Sequence, residues 1–198
     1  MLTNPLQELL DELVVLPGIG PKSAERLAFF LLTLPIERIN KFCETISNTY
    51  SKIKYCQNCY NISTENICSV CADTNRLSRI LCIVAEPKDI FAIEKTAYRC
   101  KYHVLGGLIS PIDGIHPEIL RIKELINRIK NEQVQEVILA INSSIEGETT
   151  ILYLTDLLAD FKINISRLAH GLPMGADIDY IDEITLKKAF DGRTKIKN

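Results

Sequence analysis

Long hydrophobic runs are missing from this sequence. Its longest apolar stretches, Leu27 to Leu32 and Ile80 to Ala85, fall far short of the roughly 20 residues that a membrane-spanning helix needs. No span is expected. The N-terminus carries Gln7 and Glu8 among its leucines and has neither a basic n-region nor a small-residue cleavage site, which argues against a secretory signal peptide and for a cytosolic protein. A strong excess of either charge is missing too: the net charge is −2 and the pI lies near 6.0. A dedicated nucleic-acid binder usually carries a large basic surplus, so any affinity for such a partner must come from local patches. There is also no internal repeat and no low-complexity segment.

What is present is enough apolar material for a proper core, 46% of 198 residues, consistent with one domain or one domain with small appendages. Seven cysteines make an odd count. In a reducing compartment, paired CxxC units hold a metal more readily than they form disulfides. Two basic patches stand out. One comprises Arg121, Lys123, Arg128 and Lys130 on a single helix, and the other Lys187, Lys188, Arg193, Lys195 and Lys197 near the C-terminus. An acidic cluster, Asp177, Asp179, Asp182 and Glu183, lies beside the second.

Asn4 reads as a helix cap with Pro5 in the first turn, and Leu6, Leu9, Leu10 and Leu13 share one face of a helix that ends near Leu16. Pro17, Gly18 and Gly20 break the chain, and Pro21 opens a second helix with Leu27, Phe30, Leu31 and Leu34 on its apolar side. A third helix follows Pro35, with Ile36, Ile39, Phe42, Cys43, Ile46, Tyr50 and Ile53 at helical spacing. After residue 78 the texture becomes short β-rich runs, 80–86, 102–105, 136–142 and 165–169, alternating with helical stretches at about 88–97, 117–131 and 147–160. That alternation predicts a mixed α/β fold built on a mainly parallel sheet.

The string LPGIGPKSAERL over 16–27 has the form of a helix-hairpin-helix. Gly18 and Gly20 allow backbone conformations closed to other residues, and the second helix then aims unpaired N–H groups outward, where a DNA phosphate can accept them. Lys22 and Arg26, one helical turn apart, add charge to such a contact, which would be independent of base sequence. The alternative is a packing hairpin with no ligand. Cys56, Cys59, Cys68 and Cys71 form a C-x2-C-x8-C-x2-C arrangement; each CxxC turn presents two thiolates, and two turns complete the tetrahedral shell that Zn(II) prefers. With four cysteines there is no open position for water, so the expected zinc is structural, one per chain. His103 is not assumed to be a ligand, and Cys43, Cys82 and Cys100 are expected to be small buried residues.

Glu86 ends the first strand of the α/β region, while Asn142, Ser144, Glu146 and Glu148 follow the third. Ligands gather at the C-terminal ends of parallel strands, and carboxylates there would hold Mg(II). The pattern resembles the Toprim fold of topoisomerases and primases. Where that pattern has two aspartates, this chain has Asn142 and Ser144, so Mg(II) binding is expected to be weak and strand cleavage disfavoured. Acids placed at a helix N-terminus are the plainer alternative.

Taken in order, these features resemble the bacterial RecR family. The resemblance runs from about residue 3 to 193 and includes YHVLGGLISPIDGI (102–115), EVILAINSSIEGE (136–148) and RLAHGLPMGADIDYIDE (167–183). It implies a helix-hairpin-helix DNA-binding region over 1–54, a four-cysteine zinc finger over 55–78, a Toprim domain over 79–172 and a C-terminal segment for subunit contact over 173–198. It also implies a ring-shaped homotetramer that clamps DNA in recombinational repair, is no enzyme, and works with RecO and RecF to help RecA displace single-strand-binding protein at gaps. By the same resemblance Gly18, Gly20, Lys22 and Arg26 would meet DNA, Cys56, Cys59, Cys68 and Cys71 would hold zinc, and the acidic site of Glu86, Glu146 and Glu148 would meet partners, with Glu146 facing RecO. The family likens Gly171 to Asp182 to a Walker B run. No G-x-x-x-x-G-K-[ST] loop accompanies it, so ATP hydrolysis is not expected, and a turn leading into a helix at Asp182 is the plain alternative. The rival readings are a Mg-dependent Toprim nuclease or primase-like enzyme, and a zinc-stabilised adaptor without DNA contact.

Overall fold

The computed structural model describes residues 4–169 and 171–195, so Lys197 of the second basic patch lies outside the described residues. The chain divides into two compact units, Met1–Ile53 and Lys54–Asn198.

The first unit is helical. α1 (Asn4–Val14) and α2 (Pro21–Leu32) pack through Leu10, Ala24 and Ala28, with Leu6, Leu9, Leu13 and Ile19 around them. The small alanines of α2 let the two backbones approach closely. The turn between them follows from its residues: Gly18 has φ +80°, a left-handed conformation that glycine adopts without penalty, and Pro21 sits at the first position of α2, where its missing N–H costs nothing. Gly20 departs from expectation. Its φ of −85° and ψ of 170° are ordinary extended values, so its backbone conformation is open to any residue. α3 (Ile36–Lys52) forms as its spacing predicts, but it buries no side chain. Phe42, Ile46 and Tyr50 stay exposed, and Cys43, expected to be buried, is exposed as well. Ile39 is half-buried and Phe42 lines a hollow with Leu13 of α1 and Leu27 and Phe30 of α2, while the rest of this apolar face is exposed.

The second unit opens with the knuckle: a two-strand pair, β1 (Lys54–Tyr55) and β2 (Ile62–Ser63), and a single helical turn, α4 (Ser69–Ala72). It continues as β3 (Leu77–Val84), α5 (Pro87–Glu94), β4 (Cys100–Val104), α6 (Ile122–Asn131), β5 (Glu136–Leu139), α7 (Ile145–Leu158) and β6 (Asn164–Arg167). The four long strands form one parallel sheet in the order β4-β3-β5-β6. Each strand runs at or near its predicted place. α6 starts later than expected because 117–121 form turns, with Ile119 N–H donating to His116 and Leu120 N–H to Pro117.

Alternation along β3 assigns the two faces of the sheet. Leu81 and Ile83 join Leu125 and Ile129 of α6 and Ile151, Leu154 and Leu158 of α7 in one core cluster. Cys82 and Val84 join Ile90 of α5, Tyr102 and Val104 of β4, and Cys56, Cys59, Cys68 and Val70 of the knuckle in the other. Both faces are covered, as an all-parallel sheet requires. Cys82 and Cys100 are buried as expected.

Beyond the sheet, a 3-10 turn (Ile178–Tyr180) leads to α8 (Glu183–Asp191). Asp182 caps α8, its carboxylate accepting from the Thr185 N–H at 2.9 Å. The run from Gly171 to Asp182 is thus a turn and a helix start. No helix among the described residues is long and apolar enough to cross a membrane.

Candidate metal centre and nucleic-acid interface

The sulfur atoms of Cys56, Cys59, Cys68 and Cys71 all lie within 4.8 Å of one another. Cys59 and Cys68 Sγ are 3.5 Å apart. The Cys68 backbone N–H donates to Cys56 Sγ at 3.3 Å, and the Asn58 side-chain amide to Cys71 Sγ at 3.7 Å. Amide donors around sulfur favour the thiolate form that a metal needs. The crowded thiols share their protons unevenly: hydrogen bonding from its neighbours holds Cys68 far below the usual thiol range, while the same contact and burial push Cys59 up. Four sulfur donors at this spacing fit the tetrahedral shell of Zn(II), whose Zn–S bonds are about 2.3 Å. Three of the four are buried and Cys71 is half-buried. All positions are protein thiols, which leaves no room for catalytic water. A two-strand pair of two residues each cannot hold itself together, so the metal supplies what the small core lacks.

The knuckle is bound to β4 by contacts that the sequence motif does not display. Val104 N–H donates to the Cys59 carbonyl at 2.9 Å. The Lys101 ammonium donates to the carbonyls of Val70, Cys71 and Asp73 at 3.1, 3.0 and 2.7 Å. His103 is fully buried; its Nε2–H donates to the Arg121 carbonyl at 2.8 Å, and its ring meets Tyr60 edge-on with centroids 5.6 Å apart. Burial holds the His103 imidazole at about 4, well below its ordinary value. It is a neutral packing residue.

At the helical hairpin, Lys22 and Arg26 are both exposed on α2. Ala24 N–H closes back on the Gly20 carbonyl at 2.9 Å, and the first-turn N–H groups of Lys22 and Ser23, N-terminal to it, have no intrahelical acceptor. Nothing lies within 4 Å of where a Cβ on Gly20 would stand. The hairpin therefore presents bare backbone and two cations to its surroundings.

The three glutamates are not brought together as a metal site. Among the described residues, the four cysteines are the only group of three or more potential ligands close enough for one ion. Glu86 is the N-cap of α5 in a reciprocal capping box with Asp89 and pairs with Lys88 at 2.7 Å. Glu146 and Glu148 stand in the first turn of α7, capped by Ser144, whose hydroxyl accepts from the Gly147 N–H at 3.1 Å. Glu148 is tied to Arg167 at 3.0 Å and to Lys188 at 3.2 Å. Between the two acids, a Cβ on Gly147 would run into the Asn142 carbonyl oxygen, which is why the run reads Glu-Gly-Glu.

The basic patch expected on α6 loses Arg128, while Arg121, Lys123 and Lys130 stay exposed. Arg128 is buried, donating to the Tyr102 carbonyl at 2.7 Å and forking onto Glu132 at 2.9 Å. Arg121 pairs with Glu124 and lies 4.7 Å over the Tyr60 ring. Arg128 follows Leu125 by three positions and precedes Ile129 by one, so helical spacing itself placed it on the inward face.

A parallel sheet with a degenerate acidic edge, preceded by a four-cysteine knuckle and a helical hairpin, defines a Toprim-type protein with two added modules. Comparison with protein families agrees segment by segment: residues 6–49 match the RecR helix-hairpin-helix, 53–73 the RecR four-cysteine zinc finger, 79–169 the Toprim domain and 171–194 the RecR C-terminal segment. Recombination protein RecR of Synechococcus elongatus is 48% identical over 192 residues, 96% of each chain. Those of Cutibacterium acnes and Pelotomaculum thermopropionicum are 47% identical over 197 residues and 45% identical over 195, covering at least 98% of each chain. The chain belongs to the RecR family.

Proposed function

We propose that this protein is a recombination mediator: a zinc-stabilised clamp that binds DNA without regard to sequence and, with RecO and RecF, helps RecA onto gapped DNA coated by single-strand-binding protein. The observation that carries the reading is the hairpin, where Gly20 leaves the backbone bare, the α2 N-terminus offers free N–H groups, and Lys22 and Arg26 stand exposed beside them. We assign Glu86, Glu146 and Glu148 to protein partners, with Glu146 facing RecO. With Glu86 and Glu148 engaged by cations of the chain, any Mg(II) binding there is weak and the protein carries out no turnover of its own.

We assign the working form to a tetrameric ring in the cytoplasm. The uncovered apolar side of α3 supports self-association, as does a hollow of about 590 Å³ in the first unit, lined by Leu13, Leu27, Phe30, Leu34 and Phe42 among others. Several weak basic faces around one duplex gain avidity that a chain of net charge −2 lacks alone. The test is equilibrium binding to duplex DNA across a salt series. Replacing Lys22 and Arg26 by Ala should weaken binding to all sequences alike and lower the salt slope by about 2. An unchanged slope would assign the protein to the adaptor reading, and Mg-dependent DNA cleavage lost in Glu86→Ala would restore the enzyme.

A further inference from the structure

Where the knuckle meets the carboxyl ends of β3 and β4, a cavity of about 410 Å³ opens, within the roughly 300–1,000 Å³ range of small-ligand pockets. Tyr55 and Tyr60 line it from the knuckle, Glu86 from beyond β3, Gly106 from beyond β4, and Arg121 from ahead of α6. Tyr60 has φ +62°, a left-handed conformation that is strained for a bulky L-residue and persists only where its surroundings hold it there. They do. Tyr60 N–H donates to the Cys56 carbonyl at 2.9 Å, the His103 ring packs against it in a T-shaped contact, and the Arg121 guanidinium lies over its ring at 4.7 Å. The same buried imidazole that braces Tyr60 also binds the Arg121 carbonyl, so the Tyr60 ring and the Arg121 backbone are held by one side chain.

The walls have a definite chemistry. Tyr55 is 64% exposed and offers an aromatic surface. The Arg121 guanidinium is about half exposed, and its acid, Glu124, stands at 3.4 Å, which leaves donors for a ligand. Glu86 supplies a carboxylate acceptor on the rim, with Lys88 at 2.7 Å offsetting its charge. Gly106 contributes bare backbone. A cationic side chain would meet Arg121 already seated over Tyr60. An apolar one would desolvate Glu86 and Arg121 without answering either. A planar heterocycle with N–H donors and hydrogen-bond acceptors on its edge answers both while stacking on Tyr55.

We propose that this pocket takes an unpaired nucleobase of the single-stranded part of a gapped DNA. A base paired in a duplex has its edge occupied and its faces stacked, so the pocket distinguishes single-stranded from duplex DNA. The inference rests on the DNA-binding reading above but uses different residues.

The test compares three DNAs bound by the full chain: a duplex, the same duplex with a short gap, and that gap made of abasic residues. Stacking contributes about 1–3 kcal/mol per base, so the normal gap should bind roughly 10-fold tighter than the abasic gap. Tyr55→Ala and Arg121→Gln should each remove that preference and leave duplex binding unchanged, with zinc content reporting that the knuckle is intact. Replacing Lys22 and Arg26 by Ala should weaken all three DNAs and preserve the ratio. Equal binding of normal and abasic gaps by the unaltered protein, as expected of a pocket that receives a protein side chain, overturns the proposal while duplex affinity keeps the clamp. A base preference that survives with duplex affinity untouched by the Lys22 and Arg26 replacements overturns the hairpin reading alone. Variants that keep both zinc and the full preference overturn the assignment to this pocket.

Discussion

The carboxylate of Glu148 in α7 accepts from the Lys188 ammonium of α8 at 3.2 Å. The acid that the Toprim pattern offers to a divalent ion thereby fastens the C-terminal helix to the parallel domain, and Arg167 of β6 takes part at 3.0 Å. Burial would raise the Glu148 pKa, but these two cations hold it below the ordinary carboxylate value. The contribution is present above that ordinary value and fades as pH falls through the lowered one. Because all three side chains are about one-third exposed, Glu148→Ala should cost only about 1 kcal/mol or less of global stability. Its clearer effect should be faster amide exchange in α8 with β3 unchanged; equal protection of α8 in both proteins would show that the contact does not hold the tail.

Gly147→Ala places a methyl group against the Asn142 carbonyl oxygen and within 3.3 Å of the Ile141 side chain. Backbone cannot yield cheaply, so a loss of about 1–3 kcal/mol is expected, which in a chain of this size lowers Tm by roughly 2–4 °C per kcal/mol. Gly20→Ala, at an ordinary φ and with open space around it, should leave Tm nearly unchanged and weaken DNA binding instead. Calorimetry of the two variants side by side checks the contrast.

Arg76, almost wholly buried, forks onto Glu94 with contacts of 2.7 and 2.8 Å. That hydrogen bonding holds the Glu94 carboxyl down to about 2. A depressed carboxylate stabilises the fold above its unfolded pKa and loses that contribution as pH falls through the folded one. Glu94→Gln should therefore be less stable than the parent at neutral pH, and the gap in urea midpoint should close between about pH 4.5 and 2. Arg76→Ala removes the fork but leaves Glu94 the Tyr102 hydroxyl at 2.7 Å and Arg99 at 3.2 Å, so it should cost about 1.5–3 kcal/mol, the range of a lost hydrogen bond to a charged group. A midpoint gap that does not vary with pH would contradict the assignment.

Removal of zinc by a strong chelator should unfold the knuckle and loosen β4, since Lys101 and the Val104 N–H lose the carbonyls they bind there. Structural zinc sites are held by about 10–16 kcal/mol at neutral pH, so chelation should lower Tm steeply, and Cys56→Ser should reduce zinc content and solubility. A folded, zinc-free protein of unchanged Tm would contradict a structural metal.

Elements set by local chemistry were legible in the sequence. The CxxC spacing defines a turn by itself, Pro17 to Pro21 punctuate the hairpin, and the apolar runs at 80–86 and 136–142 mark buried parallel strands. What escaped was set by partners distant in the chain. Arg128 stands beside Leu125 and Ile129 by helical spacing, but the Tyr102 carbonyl that it serves lies 26 residues away. Lys101 lies in a strand, and only the folded knuckle reveals the carbonyls it serves. Cys43 was misplaced for the opposite reason: helical periodicity identifies an apolar face but not whether this chain supplies its cover. The acidic edge was legible in composition, while its engagement by Lys188 depends on where the tail returns.

The central claim is tested most directly by following RecA filament assembly on single-stranded DNA precoated with its binding protein, with RecO present and this chain added or omitted. Acceleration should require this chain and fall when Lys22 and Arg26 become Ala. No acceleration, with binding to RecO confirmed, would contradict the claim.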